Sequence, residues 1–298
     1  MRSFTFVIFA LALLFTSGCT PADDSIPLEH ESVEAYTYIE NKGSDTMVNI
    51  ALAWAELYQE INPEISISVT GGGSGTGIAA LTNGTVDIAN ASRQIKPEEL
   101  ELASENGFEP VEFVVAKDAI AVIINPQNPV KRLTLQQISQ IYKGQINNWS
   151  EVGGNDHPIV RLSRETNSGT HVYFLETVIR LGDKEDKEIF SADTLLLPSS
   201  EGIIAEVRDN PNAIGYDGLG YVTEEVKMVS IAKDDNSPFI VPSADTVVSG
   251  VYPIARDLYI YSKGKPKGAI LDYLIWINSP EAQEIVSELG FVPITANE

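Results

Sequence analysis

From Tyr36 onward the chain alternates strand-like and helix-like segments, and that alternation confines it to an α/β fold. "AYTYIE" (35–40) alternates apolar and polar residues, as a half-buried strand does. The next segment repeats Met47, Ile50, Ala51, Trp54, Leu57 and Tyr58 at the spacing of one helix face. "PEISISV" predicts a strand, "TGIAALTNG" a short helix stopped by glycine, and "VDIANAS" another strand. "FVVAKDAIAVIIN" (113–125) is long, β-branched and almost unbroken, the pattern of a buried strand running from one domain into another. Beyond it the pattern predicts a helix near "LTLQQISQIY", a strand at "PIVRLS", a helix from about Ser168 to Arg180, and strands at "AIGY", "VKMVSI" and "ARDLYIYS". "KGAILDYLIWINS" and "PEAQEIVSELG" close the chain as helices, the second with Ser279 as N-cap and Pro280 at the first helical position.

Two apolar crossings, near 113–124 and near 250–260, divide this body. If both link lobes, residues 36–116 plus 255–298 form lobe 1 and residues 117–254 form lobe 2. Such a two-stranded connection is a hinge candidate with a ligand cleft between the lobes.

The first residues, "MRSFTFVIFALALLFTSGCT", set a basic Arg2 before an apolar run from Phe4 to Phe15 and then small residues. That is the plan of a signal peptide, 1–18, too brief for a membrane span. "TSGC" resembles a lipobox, with Thr16 where leucine is usual, and makes Cys19 the expected lipid-attachment residue. The alternative is that Cys19 lies inside a cleaved signal. Residues 19–35, "CTPADDSIPLEHESVEA", are acidic, Pro-containing and poor in apolar residues, and read as a flexible tether with His30 solvated. Cys19 is the only cysteine, which excludes an intrachain disulfide. The formal net charge of −22 argues against nucleic-acid binding, which needs a basic footprint. It does not exclude an anion site, because screening acts within about 8 Å at physiological salt.

Three clusters of small and hydroxyl-bearing residues precede predicted helices: "GSDTM", "GGGSGTG" and "TNSGT". A helix N-terminus leaves up to about four N–H groups without partners and carries the positive end of the macrodipole. Anions bind there, glycine admits close approach, and hydroxyls add donors. Ser44 and Thr46, Ser74 and Thr76, and Ser168 and Thr170 suit that role. Each cluster alone is also explained by ordinary capping. Arg164, four residues ahead of Ser168, can donate two parallel bonds to a tetrahedral oxyanion, or else pairs at the surface with Glu165 or a neighbour. His171 reads as a helix-surface residue, with a pH-sensitive neighbour of the anion as the alternative.

Other chemistry finds little support. There is no G-x-x-x-x-G-K-[ST] and no G-x-S-x-G. "GTGIAA" from Gly75 is only a loose dinucleotide fingerprint, and three scattered histidines make neither a zinc site nor a triad. No catalytic residue, metal or cofactor is expected.

The segments "GSDTM", "GGGSGTG", "VDIANASRQIKPEEL", "IYKGQINNWSEVGG", "RETNSGTHVYF", "AIGYDGLGYV", "SGVYPIARDLYIY" and "GFVPI", in that order, resemble the PstS family of phosphate-binding lipoproteins of ABC importers, from about Gly43 to Ile294. The resemblance implies a two-lobed type 2 periplasmic-binding-protein fold with two hinge crossovers and an interlobe ligand cleft. Matched position by position, it implies phosphate contacts from Ser44, Asp45 and Thr46, from Ser74 with Gly75, and from Arg164, Ser168, Gly169 and Thr170. Trp149 is expected in the core. Many members place Asp where this chain has Arg93, and that Asp accepts the proton of bound phosphate. Arg93 cannot accept, so it either binds the anion directly or pairs with Asp45. Asp45 is then the candidate acceptor, or simply a charge at a helix start. The implied function is phosphate capture outside the cytoplasmic membrane, by a monomer held to its outer face by the lipid on Cys19. Delivery would be to the permease and ATPase of an importer. The residues alone also admit a receptor for sulfate or molybdate, a phosphate-sensing surface lipoprotein, and a dinucleotide-dependent or phosphatase-like enzyme.

Overall fold

A computed structural model describes residues 37–294. The signal segment, Cys19, the tether and His30 lie outside the described residues. The first stretch runs β1 (Thr37–Gly43), α1 (Val48–Ile61), β2 (Ile65–Thr70), α2 (Ser74–Thr82), β3 (Ile88–Ala91), α3 (Pro97–Glu105) and β4 (Pro110–Ile124). The middle runs β5 (Arg132–Thr134), α4 (Leu135–Tyr142), β6 (Val160–Arg164), α5 (Gly169–Phe174), β7 (Leu195–Leu197), α6 (Ser200–Asp209), β8 (Ala213–Gly218), β9 (Lys227–Met228), β10 (Ser230–Ala232) and α7 (Ala244–Val248). The chain ends in β11 (Ala255–Lys263), α8 (Gly268–Ile277) and α9 (Pro280–Glu288).

The main sheet has the order β2-β1-β3-β11-β4-β8-β6-β7, with β9 also on β4. β1 is parallel to β2 and β3, and β6 is parallel to β7 and β8. Between these groups β4 pairs antiparallel with β11 over residues 110–119 and with β8 over 120–124. The apolar run seen in the sequence thus serves two neighbours in succession, which is why its second half is buried almost without a break.

The core follows the apolar stripes. α1 buries Ile50, Ala51, Trp54, Ala55 and Tyr58, and Trp54 Nε1 donates to the Ala282 carbonyl at 2.8 Å. In the other cluster Phe174 stacks on Tyr216, edge-on to Tyr142, and this fixes the first turns of α5 against β8. Trp149 is in the core, its Nε1 donating to the Asn212 carbonyl. The helix expected over Ser168–Arg180 is α5 continued by a π-helical turn, Leu175–Ile179. "VKMVSI" divides into β9, which pairs with β4, and β10, which pairs with β5. Sequence periodicity did not signal α3 or α6. α3 buries only Ala103, and α6 buries Ile203, Ile204 and Val207 beneath a charged face.

Candidate anion site

The parallel strands deliver four segments to one place. β1 ends at Ser44, β2 at the glycines before Ser74, β3 at Ser92 and β6 at Arg164, all at carboxyl ends, where open α/β sheets bind ligands. Ser44 is N-cap to the short turn Asp45–Met47 that opens α1, Gly73 precedes α2, and Ser168 caps α5. Three helix N-termini therefore meet, each with its positive dipole end inward.

Their hydroxyls form a connected group. Thr46 Oγ1 lies 2.8 Å from Thr170 Oγ1, and Ser44 Oγ donates to Ser92 Oγ at 2.9 Å. Ser74 Oγ is 3.3 Å from Ser92 Oγ and accepts from the Ser92 N–H at 3.0 Å. Gly169 packs directly on this group, since a Cβ there would fall 2.3 Å from Ser74 Oγ and 2.5 Å from Ser92 Oγ. Arg256, from β11, completes it. Nη2 donates to Thr170 Oγ1 at 3.0 Å and Nη1 to the Ser92 carbonyl at 2.8 Å. All these side chains are buried.

The loops are stitched together as well. The Gly75 N–H donates to the Asn167 carbonyl, and Asn167 Nδ2 donates to the Gly72 carbonyl. Gly73, at φ +91°, presses against the Asn167 backbone, an approach that only glycine makes comfortably. Asp45 joins all three clusters. Its Oδ1 accepts from the Gly72 N–H at 2.8 Å and its Oδ2 from Arg164 Nη2 at 2.8 Å.

Two buried ion pairs stand behind the hydroxyls. Asp118 Oδ2 accepts from Arg256 Nη2 at 2.9 Å, and Asp217 Oδ2 lies 3.5 Å from Arg164 Nη1. Burial pushes the Asp118 carboxyl up against the pull of Arg256, and pushes Asp217 up against the pull of Arg164.

The structure thus brings together Ser44, Asp45, Thr46, Ser74, Gly75, Arg164, Ser168, Gly169 and Thr170. Arg93 is near Gly75, with Nη2 3.7 Å from where a Cβ would stand, and its guanidinium pairs with Glu99 while its buried Nε has no partner. Its Nη1 and Nη2 donate to both oxygens of Glu99, at 2.8 and 2.7 Å, so of the two roles expected for it the pairing with Asp45 does not form. The cause is local: Glu99 lies on the first turn of α3, within a forked guanidinium's reach, while Arg164 occupies Asp45. The surface pair between Arg164 and Glu165 is also absent. Arg164 is fully buried, donating to Asp45, to Ser200 Oγ and to the Pro198 carbonyl. Ser92, Asn167, Asp118, Asp217 and Arg256 were not read from the sequence as site residues.

A family model, the PBP superfamily domain, matches residues 29–281. The phosphate-binding protein PstS of Pseudomonas aeruginosa is 30% identical, over 99% of this chain and 94% of that protein. The chain belongs to the PstS family of phosphate-binding proteins. PstS of Bacillus subtilis is also 30% identical, over 97% of this chain and 93% of its own length. Among solved structures, a phosphate ABC transporter substrate-binding protein of Clostridium perfringens with bound phosphate matches at TM-score 0.77 and 33% identity, covering 87% of this chain and all of that one. An ABC-type phosphate transport receptor of Vibrio cholerae matches at TM-score 0.69 and 30% identity, over 86% of this chain and 100% of that one. The architecture is accordingly the two-lobed type 2 binding-protein fold that the sequence motifs implied.

His171 is the other correction. It is buried rather than on the helix surface, with its ring stacked on Phe190 at 4.5 Å and Nδ1 donating to the Arg164 carbonyl at 2.9 Å. Burial pushes its pKa down from 6.5 to about 4. The unfolded chain therefore binds the extra proton between those values, and stability falls as pH drops through that window. The two raised carboxyls act with the opposite sign, so a paired comparison isolates the histidine. Urea unfolding at about pH 7 and about pH 4.5 is expected to show a loss of about 2 kcal/mol that His171→Gln removes. An equal loss in the variant would assign the acid sensitivity elsewhere.

Proposed function

We propose that this chain captures inorganic phosphate and presents it to the permease and ATPase of an ABC importer. The observation that carries this reading is the meeting of three helix N-termini, their hydroxyls and a buried guanidinium at the carboxyl ends of one sheet. That set supplies donors on several sides of a tetrahedral oxyanion without water. Hydrogen bonds to charged groups are worth roughly 1.5–3 kcal/mol each, and micromolar affinity needs about 8 kcal/mol net. Four or five such bonds suffice after the ordering cost.

The protein works outside the cytoplasm as a binding component, with the chemistry of transport left to its partners. Among the described residues no helix is long and apolar enough to cross a membrane. A lipid on Cys19 would then hold the chain to the outer face of the cytoplasmic membrane, as a monomer; intact-mass spectrometry of the membrane-bound chain reads that modification. We assign residues 36–116 plus 255–298 to one lobe and 117–254 to the other. The exchange of partners along β4, from β11 to β8, supports that division. Calorimetry of the full chain against phosphate, sulfate, molybdate and phosphonate tests the capture step. Phosphate is expected to bind with a Kd of about 1 μM or lower and ahead of the other three. Absence of phosphate binding, or preference for another oxyanion, overturns the reading.

A further inference from the structure

α5 and the turn that continues it face two ways. Gly169 and Thr170 pack on the hydroxyl group, whereas His171 and, one turn on, Leu175 line a cavity of about 590 Å³ that shares no lining residue with that group. Its size is that of a site for a small organic molecule. Leu175, Ile189, Phe190 and Leu196 give it apolar walls. Ile189 is 66% exposed and Leu196 46%, so a ligand that covered them would remove apolar surface from water.

His171 gives this cavity a polar point. Its Nδ1–H points inward at the Arg164 carbonyl, with Ser163 Oγ 3.0 Å away. Burial above all, with the charge of Lys96 adding to it, holds the pKa at about 4, so the ring is neutral near pH 7. Nε2 then carries a lone pair, and among the described residues nothing donates to it. A buried ring at a cavity wall with an unmatched acceptor calls for an N–H or O–H from outside the chain.

Charge points the same way. Lys96 and Arg180 both line the cavity. Lys96 lies near Glu99, but that carboxylate is held by Arg93. Arg180 spends its Nε on the Glu188 carbonyl and lies near Asp186, which pairs with Lys143. Glu176 is the only carboxylate among these lining residues, so the cavity has a surplus of positive charge in a chain of net charge −22. An anion is favoured here over most of the surface.

We propose that this cavity is a second ligand site, for a small carboxylate with a flat apolar body and one N–H or O–H donor. The body lies against Ile189, Phe190 and Leu196, the donor meets His171 Nε2, and the carboxylate meets Lys96, the cation whose charge reaches the imidazole. Nothing in this depends on what the anion site holds.

Indole-3-acetate carries all three features and serves as the probe, in calorimetry on the full chain with and without excess phosphate. It is expected to bind with a Kd of about 10–100 μM in both conditions. Indole-3-ethanol lacks the charge and 1-naphthylacetate lacks the N–H, and each is expected to bind about tenfold or more weakly. Lys96→Gln should bring indole-3-acetate down to the level of indole-3-ethanol, and Ile189→Asp should weaken all three. Both variants should keep the unaltered chain's response to phosphate, since neither residue touches the hydroxyl group. No binding below about 1 mM, equal affinity for the three compounds, or affinity unchanged in both variants overturns the proposal. Displacement of indole-3-acetate by phosphate would place it at the anion site and overturn the proposal too. A chain that binds no phosphate fails the capture reading alone, and leaves this one to be decided by indole-3-acetate.

Discussion

Arg164→Ala is expected to lower stability by about 3–5 kcal/mol, the usual result of removing one partner from a buried ion pair. Arg164 is fully buried, and so is Asp217, which would keep only Ser200 Oγ and the Gly218 N–H as hydrogen-bond donors. In a domain of this size such a loss corresponds to a fall in Tm of about 10 °C. Anion binding should suffer as well, through Asp45. That carboxylate holds the Gly72 N–H with one oxygen and Arg164 with the other, so releasing it loosens the start of α1 and the loop before α2 together. Phosphate affinity is expected to drop at least about tenfold, or about 1.4 kcal/mol, and sulfate affinity by the same factor, because a brace has no means of reading a proton. Melting and calorimetry on one preparation read both effects. The double variant Arg164→Ala with Asp217→Asn should recover part of the lost stability, since it no longer buries an unpaired charge. A melt unchanged by the single variant would show that the pair contributes nothing to folding.

The parts of this molecule legible in sequence were those whose physics is local. Strand β4 announced itself because a buried strand must be apolar on both faces, and "FVVAKDAIAVIIN" nearly is. The three clusters at the helix starts were legible because their glycines and hydroxyls are adjacent in the chain, and the structure brings those helix starts together. Asp118 and Arg256 required more. Each is a buried charge within a mostly apolar strand, and such a charge must find a partner. Which partner is fixed only by the register of β4 against β11, across 138 residues of sequence. Arg93 and His171 show the converse. Glu99 is six residues from Arg93 and pairs with it, a local contact that the resemblance, which admits anion binding or a pair with the distant Asp45, does not show. His171 lies on a helix short enough that its whole first turn is packed, and Phe190, which covers its ring, arrives from a segment without periodicity.

Gly169→Val should abolish useful phosphate binding, at a modest cost in stability. The backbone at 169 is not in the left-handed region, so a side chain there meets no conformational penalty of its own. The obstacle is space. Ser74 Oγ and Ser92 Oγ lie 2.3 and 2.5 Å from the Cβ position, and Ser74 Cβ lies 3.0 Å away. Rotating the two hydroxyls aside relieves part of the clash, but the Ser74 Cβ contact persists, so the start of α5 must also move off the start of α2. Either response takes donors away from the anion. Losing two charge-assisted hydrogen bonds at roughly 1.5–3 kcal/mol each predicts a rise in Kd of about a hundredfold to ten-thousandfold. Stability should fall as well, by about 1–3 kcal/mol, the usual cost of forcing extra atoms into a packed interior. Gly169→Ala should fall between the two, with the hydroxyls displaced and the helices less so. Calorimetry and a thermal melt on the three proteins give the series. Equal affinities along it would mean that the close contact among Gly169, Ser74 and Ser92 plays no part in holding phosphate, and with it would go the case for a site built where these helix starts meet.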